Sequence, residues 1–173
     1  SEQRDLVSCC LMALGKAGRD APGIDVIAVI RARLASSDQE IRETAVLALL
    51  QASINHFKQY GNIIAWQIEN EATLPFGECA APKPSWSLLR REIDLVRRLD
   101  ARPVISTESG ELSAWLKVGG IVDWLGVSLY RVTNNPIFGK ISYPFRPGFY
   151  QKKAALAKAL NPNLQAVFIT ELQ

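Results

Sequence analysis

A short apolar run that ends in three polar residues constrains this chain most strongly. Residues 62–68 are mostly apolar and include β-branched side chains, which predicts a strand buried on both faces. Glu69, Asn70 and Glu71 follow immediately. Buried polar groups are costly unless water or a ligand satisfies them, so these side chains are expected to line a cavity. Because parallel α/β enzymes keep their chemistry at the carboxyl ends of strands, the stretch predicts that Glu71 is a catalytic acid.

Three more strands follow, in regular alternation with helices. We predict strands at 62–69, 103–107, 122–130 and 166–170, and helices between them at 86–99, 111–118 and 149–160. This order is typical of an α/β fold with parallel strands and crossover helices. Right-handed crossovers place the carboxyl ends of all strands on one face. That face is predicted to collect the polar residues that follow the strands, namely Asn70, Glu71, Glu108, Ser109, Tyr130, Arg131 and Glu171.

The first fifty residues show helical periodicity instead. Helices are predicted at about 2–16, 24–34 and 39–60, the third one capped by Ser36–Asp38. The segment Ile41–Leu49 resembles the second helix of a HEAT-type repeat, and Leu11–Gly15 resembles the matching position one repeat earlier. Three plain amphipathic helices fit the same pattern. The expected domains are a helical, possibly HEAT-like segment at 1–52 and an α/β domain at 53–173.

Composition excludes several classes of function. The net charge of +3 is small and the basic residues are dispersed, which disfavours a nucleic-acid-binding protein. The longest apolar run, near 45–50, is far shorter than the ~18 residues of a membrane span. With His56 as the single histidine, neither a metal site nor a cofactor is expected. Cys9, Cys10 and Cys79 lack a disulfide pattern and no signal peptide is visible, which favours a cytoplasmic protein.

Two carboxylates on one rim suggest glycoside hydrolysis. One carboxyl, kept protonated by its surroundings, donates a proton to the leaving oxygen, and the other attacks the anomeric carbon or activates water. Glu71 and Glu171 follow the first and last predicted strands of the α/β segment. Two alternatives stay open from spacing alone: Glu69 is the acid and Glu71 a solvated loop residue, or Glu171 is merely exposed.

Several segments resemble one clan of (β/α)₈ barrels, the clan that holds cellulases and β-galactosidases. Trp66–Glu71, Asp123–Arg131 and Thr170–Gln173 resemble its strands four, six and seven. A cellulase-type branch is indicated by three further segments, Phe76–Cys79, Arg91–Asp100 and Ser109–Glu111. The resemblance covers about residues 55–173. It implies that this part is a partial TIM barrel whose four parallel strands correspond to strands four to seven.

The same resemblance implies a retaining glycoside hydrolase that acts on a carbohydrate. Glu71 corresponds to the acid/base, and Asn70 to the residue that bonds the sugar 2-hydroxyl. Glu171 corresponds to the nucleophile, and Tyr130 to the phenol that hydrogen-bonds it. Further substrate contacts are expected from side chains that can stack on or bond a sugar, namely Trp66, Arg131, Tyr143 and Phe145. Trp86 and Trp115 lie at helical spacing and are expected in the core.

A complete barrel of this type has about 250 residues, so the chain is expected to be a fragment with little activity alone. The alternative function is a helical-repeat scaffold, in which the N-terminal helices bind a protein partner and the α/β part is inert. A lyase or aldolase barrel is disfavoured, because no lysine ends a predicted strand to form a Schiff base. Proximity of Glu71 to Glu171 favours the hydrolase, and wide separation favours the scaffold.

Overall fold

The computed structural model describes residues 2–18, 23, 25–74, 85–135, 137 and 139–172. The segment Phe76–Cys79, the break at Asp20–Pro22, and Phe138 and Gln173 lie outside the described residues. The chain divides into two compact units. The first consists of Ser1–Ile64 and Arg90–Arg102, and the second consists of Ala65–Leu89 and Pro103–Gln173.

The first unit begins with three α-helices, as the periodicity predicts. They are α1 (Glu2–Ala17), α2 (Val26–Ala32, extended by the 3₁₀ turn Arg33–Ala35) and α3 (Gln39–Phe57). The Asp38 carboxylate accepts hydrogen bonds from the backbone N–H groups of Glu40 and Ile41, at 2.9 and 3.3 Å. This confirms the cap that the sequence places before α3, and it satisfies two amides that the helix leaves unpaired.

The core of this unit is built from small and branched apolar side chains. Its fully buried members come from all three helices: Leu11, Val26, Ile30, Ala45 and Ala48. Small residues let α1 and α3 approach closely. A Cβ placed on Gly15 would lie 2.7 Å from the Ala48 Cα atom. The helix contact therefore depends on the absence of a side chain at Gly15.

The second unit contains a four-stranded parallel sheet. Its strands are β1 (Trp66–Gln67), β2 (Val104–Ser109), β3 (Trp124–Leu129) and β6 (Ala166–Leu172), in the spatial order β1-β2-β3-β6. All three pairings are parallel, which confirms the predicted α/β class. The predicted first strand, 62–69, is wrong in extent. Its first residues form a turn in which the Ile63 N–H reaches the Tyr60 carbonyl, and Glu69 has a left-handed backbone that stops the ladder.

The remaining elements connect these strands. They are α4 (Trp86–Leu99), α5 (Leu116–Gly119), α6 (Pro147–Leu160) and the antiparallel hairpin β4 (Val132–Asn135) and β5 (Gly139–Ser142). The sequence predicts a long loop where the hairpin forms, because its four-residue strands show no clear alternation. Helix α5 starts later than predicted. The Ser109 hydroxyl accepts the Leu112 N–H and the Ser113 hydroxyl donates to the Ser109 carbonyl, and both bonds favour a turn over a helix start.

Among the described residues, every helix is too short or too polar to traverse a lipid bilayer. Trp115 is 2 % exposed, in agreement with its predicted place in the core.

We predict that Gly15→Ala destabilises the protein by about 1–3 kcal/mol, because the added methyl group collides with the Ala48 backbone. Gly61→Ala is the matched control, since a Cβ there meets nothing within 4 Å. Urea unfolding followed by helical circular dichroism measures both variants. Equal free energies of unfolding for the two variants would contradict the close helix contact.

Candidate active site

The segment after β1 has an unusual backbone. Glu69 and Glu71 have φ angles of 60° and 48°. Non-glycine residues seldom adopt positive φ, and such residues concentrate at functional sites. Thr107 on β2 holds the segment in place: its Oγ1 accepts the Glu71 N–H at 2.8 Å, and its hydroxyl donates to Asn70 Oδ1 at 2.7 Å. One threonine thus fixes both the backbone of Glu71 and the side chain of Asn70.

Glu108, the next residue of β2, contacts the same segment at Thr73. The chain turns after Glu71, where the Leu74 N–H donates to the Glu71 carbonyl at 3.0 Å. The Thr73 hydroxyl lies 2.7 and 2.8 Å from the two carboxyl oxygens of Glu108. Because side chains alternate across a strand, Thr107 and Glu108 hold the 70–74 turn from opposite faces of β2.

A β-bulge sets the direction of the second carboxylate. Val127 pairs with Ile169, but Ser128 pairs with Glu171, so Thr170 is the extra residue of β6. An extra residue reverses which side chains face which side of the sheet. Glu171 therefore comes to the face of Ser128, which Thr170 would occupy in a regular ladder.

Two hydroxyls of one chain segment contact the two carboxylates. The Ser128 hydroxyl, in a residue that is 0 % exposed, donates to Glu71 Oε1. The Tyr130 hydroxyl donates to Glu171 Oε2. Residues two apart in an extended chain lie about 6.5 Å apart and point to the same side. The structure thus brings the predicted residues Glu71, Tyr130 and Glu171 together on one face at the carboxyl end of the sheet.

The pKa of Tyr130 is consistent with the closeness of Glu71 and Glu171. The hydrogen bond to Glu171 raises the pKa of Tyr130 to about 12, and burial and the charges of Glu171 and Glu71 act in the same direction. Both carboxylates therefore act on one phenol, which remains a hydrogen-bond donor throughout the neutral pH range.

A third carboxyl lies behind the pair. Glu108 is 2 % exposed, and burial raises its pKa. The nearby charge of Glu71 raises the pKa further, whereas hydrogen bonds from Ser113 and Thr73 and the Lys153 ammonium oppose the rise. Lys153 itself donates to the carbonyls of Gly110 and Ser113, at 2.7 and 2.6 Å.

Other predicted substrate contacts lie elsewhere. Trp66 pairs with Val104, the first residue of β2, at the opposite end of the sheet from Asn70 and Glu71. Its indole N–H is buried without a hydrogen-bond partner. Arg131 is exposed and lines a groove of about 350 Å³ together with Tyr150 and Leu172.

Tyr143 belongs to an aromatic stack. Its ring lies 6.0 Å from that of Phe145, which in turn lies 4.2 Å from the Phe149 ring. Both pairs are nearly parallel, with interplanar angles of 10°. The three rings thus pack on one another, and the face of Tyr143 toward Phe145 is already occupied.

Sequence reasoning missed the residues that orient the carboxylates. Thr107 and Ser128 are polar residues inside predicted apolar strands, and this inconsistency is the signal that could have identified them. Thr73 lies in a loop with no pattern to mark it.

Among the described residues, no cluster of three or more histidine, cysteine or acidic side chains is arranged to hold a metal ion. Comparison with protein-family models, with curated proteins and with solved structures finds no match to this chain.

We predict that Glu171→Gln lowers the pKa of Tyr130 from about 12 toward 10, because the variant removes the negative acceptor of its hydroxyl. The raised pKa contributes stability below pH 10 that is lost as the pH rises from 10 to about 12. Ultraviolet titration of tyrosinate measures the shift.

Burial and Glu111 also raise the pKa of Tyr150 to about 12, so the titration is made in a Tyr150→Phe background. The titration step that disappears in Tyr130→Phe is that of Tyr130. Glu111→Gln in the same background is the matched control and should leave the pKa of Tyr130 unchanged. An unshifted signal in Glu171→Gln would contradict the contact.

Proposed function

We propose that this protein is a retaining glycoside hydrolase of low activity by itself, with Glu71 as acid/base and Glu171 as nucleophile. The observation that carries the proposal is the pair of contacts from Ser128 to Glu71 and from Tyr130 to Glu171, two residues apart on one face. Retention needs carboxyl groups about 5–5.5 Å apart, whereas inversion needs roughly 6.5–9.5 Å to admit a water between carboxyl and sugar. The two contacts place both carboxyls on one face, and the proposal takes the shorter separation from the resemblance to retaining enzymes.

The first chemical step joins the sugar to the protein. Glu71 gives its proton to the leaving oxygen as the bond from that oxygen to the anomeric carbon breaks, and Glu171 attacks the anomeric carbon from the other face. Tyr130 donates to one Glu171 oxygen, which leaves the other oxygen to form the covalent bond. In the second step, Glu71 takes a proton from water, the water oxygen attacks the anomeric carbon, and Glu171 is released.

Asn70 supports this pair from the same turn. Its Oδ1 accepts the Thr107 hydroxyl, so its NH₂ group is directed toward other acceptors, and the residue is exposed. A sugar 2-hydroxyl is the acceptor that the mechanism provides, and hydrogen bonds to that group strengthen in the transition state.

The proposal includes the fold. The four parallel strands would be four of the eight in a (β/α)₈ barrel, with the reacting groups at the carboxyl ends, where such barrels keep their sites. Glu71 is preferred to Glu69 because the Glu71 carboxyl contacts Ser128, on the face that Glu171 shares.

We predict that a 2,4-dinitrophenyl 2-deoxy-2-fluoroglycoside labels Glu171 covalently. The fluorine atom slows both the formation and the hydrolysis of the glycosyl-enzyme. The 2,4-dinitrophenyl leaving group restores the rate of formation, so the glycosyl-enzyme accumulates. Because the sugar is unknown, glucosyl, galactosyl, mannosyl and xylosyl reagents are tested in parallel. Intact mass and peptide mapping locate the label.

Glu171→Gln should abolish labelling, and Glu111→Gln, a carboxyl outside the pair, should preserve it. Glu71→Gln should lower turnover of a phenyl glycoside by roughly 100-fold or more, since such a poor leaving group needs the acid. Absence of label with all four reagents, or label on another residue, would refute the proposed function.

A further inference from the structure

The Glu108 carboxyl makes a contact that suits a neutral acid. The Thr73 hydroxyl lies at nearly the same distance from both carboxyl oxygens, 2.7 and 2.8 Å. A hydroxyl has one proton and cannot donate fully to two acceptors. A protonated carboxyl resolves this, because it donates from one oxygen to Thr73 and accepts from Thr73 on the other. The Glu108 carboxyl and the Thr73 hydroxyl then make two hydrogen bonds with each other, one in each direction.

Burial and the nearby negative charge also favour the neutral form of Glu108, against the hydrogen bonds from Ser113 and Thr73, which lower its pKa. The residue is 2 % exposed, and burial raises its pKa, as does the nearby Glu71 carboxylate. Lys153 is the cation that opposes this effect, but its ammonium group is already bonded to the carbonyls of Gly110 and Ser113. Lys153 Nζ also lies 4.3 Å from the Trp115 ring centre, so the ammonium group interacts with several groups besides the Glu108 carboxyl.

The contact connects Glu108 to the reacting pair. Thr73 lies in the turn closed by the Leu74 N–H and the Glu71 carbonyl. Glu71 at the start of that turn has a φ angle of 48°, a conformation that persists only where the surroundings impose it. Thr107 holds the turn at Glu71, and Glu108 holds it at Thr73.

We propose that Glu108 is a neutral carboxylic acid at pH 7 and a positioning residue for Glu71: through Thr73 it fixes the turn that directs the Glu71 carboxyl to Ser128. The inference rests on the proposed function in so far as Glu71 is named there as the acid. Glu108 itself touches neither substrate nor reacting atoms in this scheme.

The first test compares leaving groups in three variants. Glu108→Ala removes the contact with Thr73, Glu108→Gln keeps a neutral group of the same shape, and Glu111→Gln is the matched control, three residues further along the chain. Misplacing an acid by about 1 Å can cost about 100-fold. We therefore expect Glu108→Ala to hydrolyse a phenyl glycoside about 100-fold more slowly. Its kcat/KM for the 2,4-dinitrophenyl glycoside should stay within about threefold, because kcat/KM reports only the first step and this leaving group needs no acid in that step.

Glu108→Gln should hydrolyse both substrates at nearly the wild-type rates. Equal losses on both substrates in Glu108→Ala would overturn the positioning role. If Glu108 is neutral, glutamine can replace it. A loss of rate in Glu108→Gln as large as that in Glu108→Ala would therefore overturn the neutral state.

The second test does not require activity. Raising the folded pKa of an acid removes stability as the pH rises from its unfolded value to its folded value. Glu108→Gln cannot ionise, so its melting temperature should exceed that of the wild type by an amount that keeps growing from pH 5 to pH 8. A difference that levels off below pH 7, or a less stable Glu108→Gln variant, would overturn the neutral state.

Amide hydrogen exchange at Glu71 completes the test. Its N–H donates to Thr107 and should exchange faster in Glu108→Ala but not in Glu108→Gln. Unchanged exchange in Glu108→Ala would overturn the positioning role. Failure of labelling at Glu171 with the expected melting and exchange results would refute the hydrolase alone, so the two failures are distinguishable.

Discussion

The site depends on two hydroxyls at the carboxyl end of β3: that of Ser128, within the strand, and that of Tyr130, immediately after it. These residues come from one extended segment, so the distance between their Cα atoms is fixed by backbone geometry at about 6.5 Å. Each hydroxyl contacts one carboxylate, and the two carboxylates come from β1 and β6, on either side of β2 and β3 in the sheet. Both carboxylates are thus held by hydroxyls from one strand end.

Both carboxylates need a local departure from regular structure to reach that strand. Glu71 has a left-handed backbone and Glu171 follows a bulge in β6. A regular ladder would present Thr170 to Ser128 in place of Glu171. The contacts from Thr107, Ser128 and Tyr130 stabilise these departures, which gives a reason for the two buried hydroxyls at Thr107 and Ser128.

The sequence predicts the larger features of this fold because they depend on patterns that extend over many residues. The three N-terminal helices and the parallel order of four strands follow from periodicity and capping, as at Asp38. The proximity of Glu71 to Glu171 was predicted from strand order and resemblance together. Features that depend on one or two residues were missed: the length of β1, the β4–β5 hairpin, the bulge at Thr170 and the role of Thr73. The bulge and the role of Thr73 depend on contacts between distant segments, whereas the start of β1 and the hairpin depend on local turns that no clear pattern marks.

Several costly features of the second unit lie near the carboxyl end of β2. Strained backbone at Glu69 and Glu71 costs of order 1–3 kcal/mol per residue, and a buried carboxyl such as Glu108 adds a further cost. Selection for stability alone would remove such features, since a glycine at position 71 and an apolar residue at 108 would each relieve one of them. Their position around the carboxyl end of β2, next to the face that holds Glu171, agrees with the proposed function, because functional sites are where proteins retain features that lower stability.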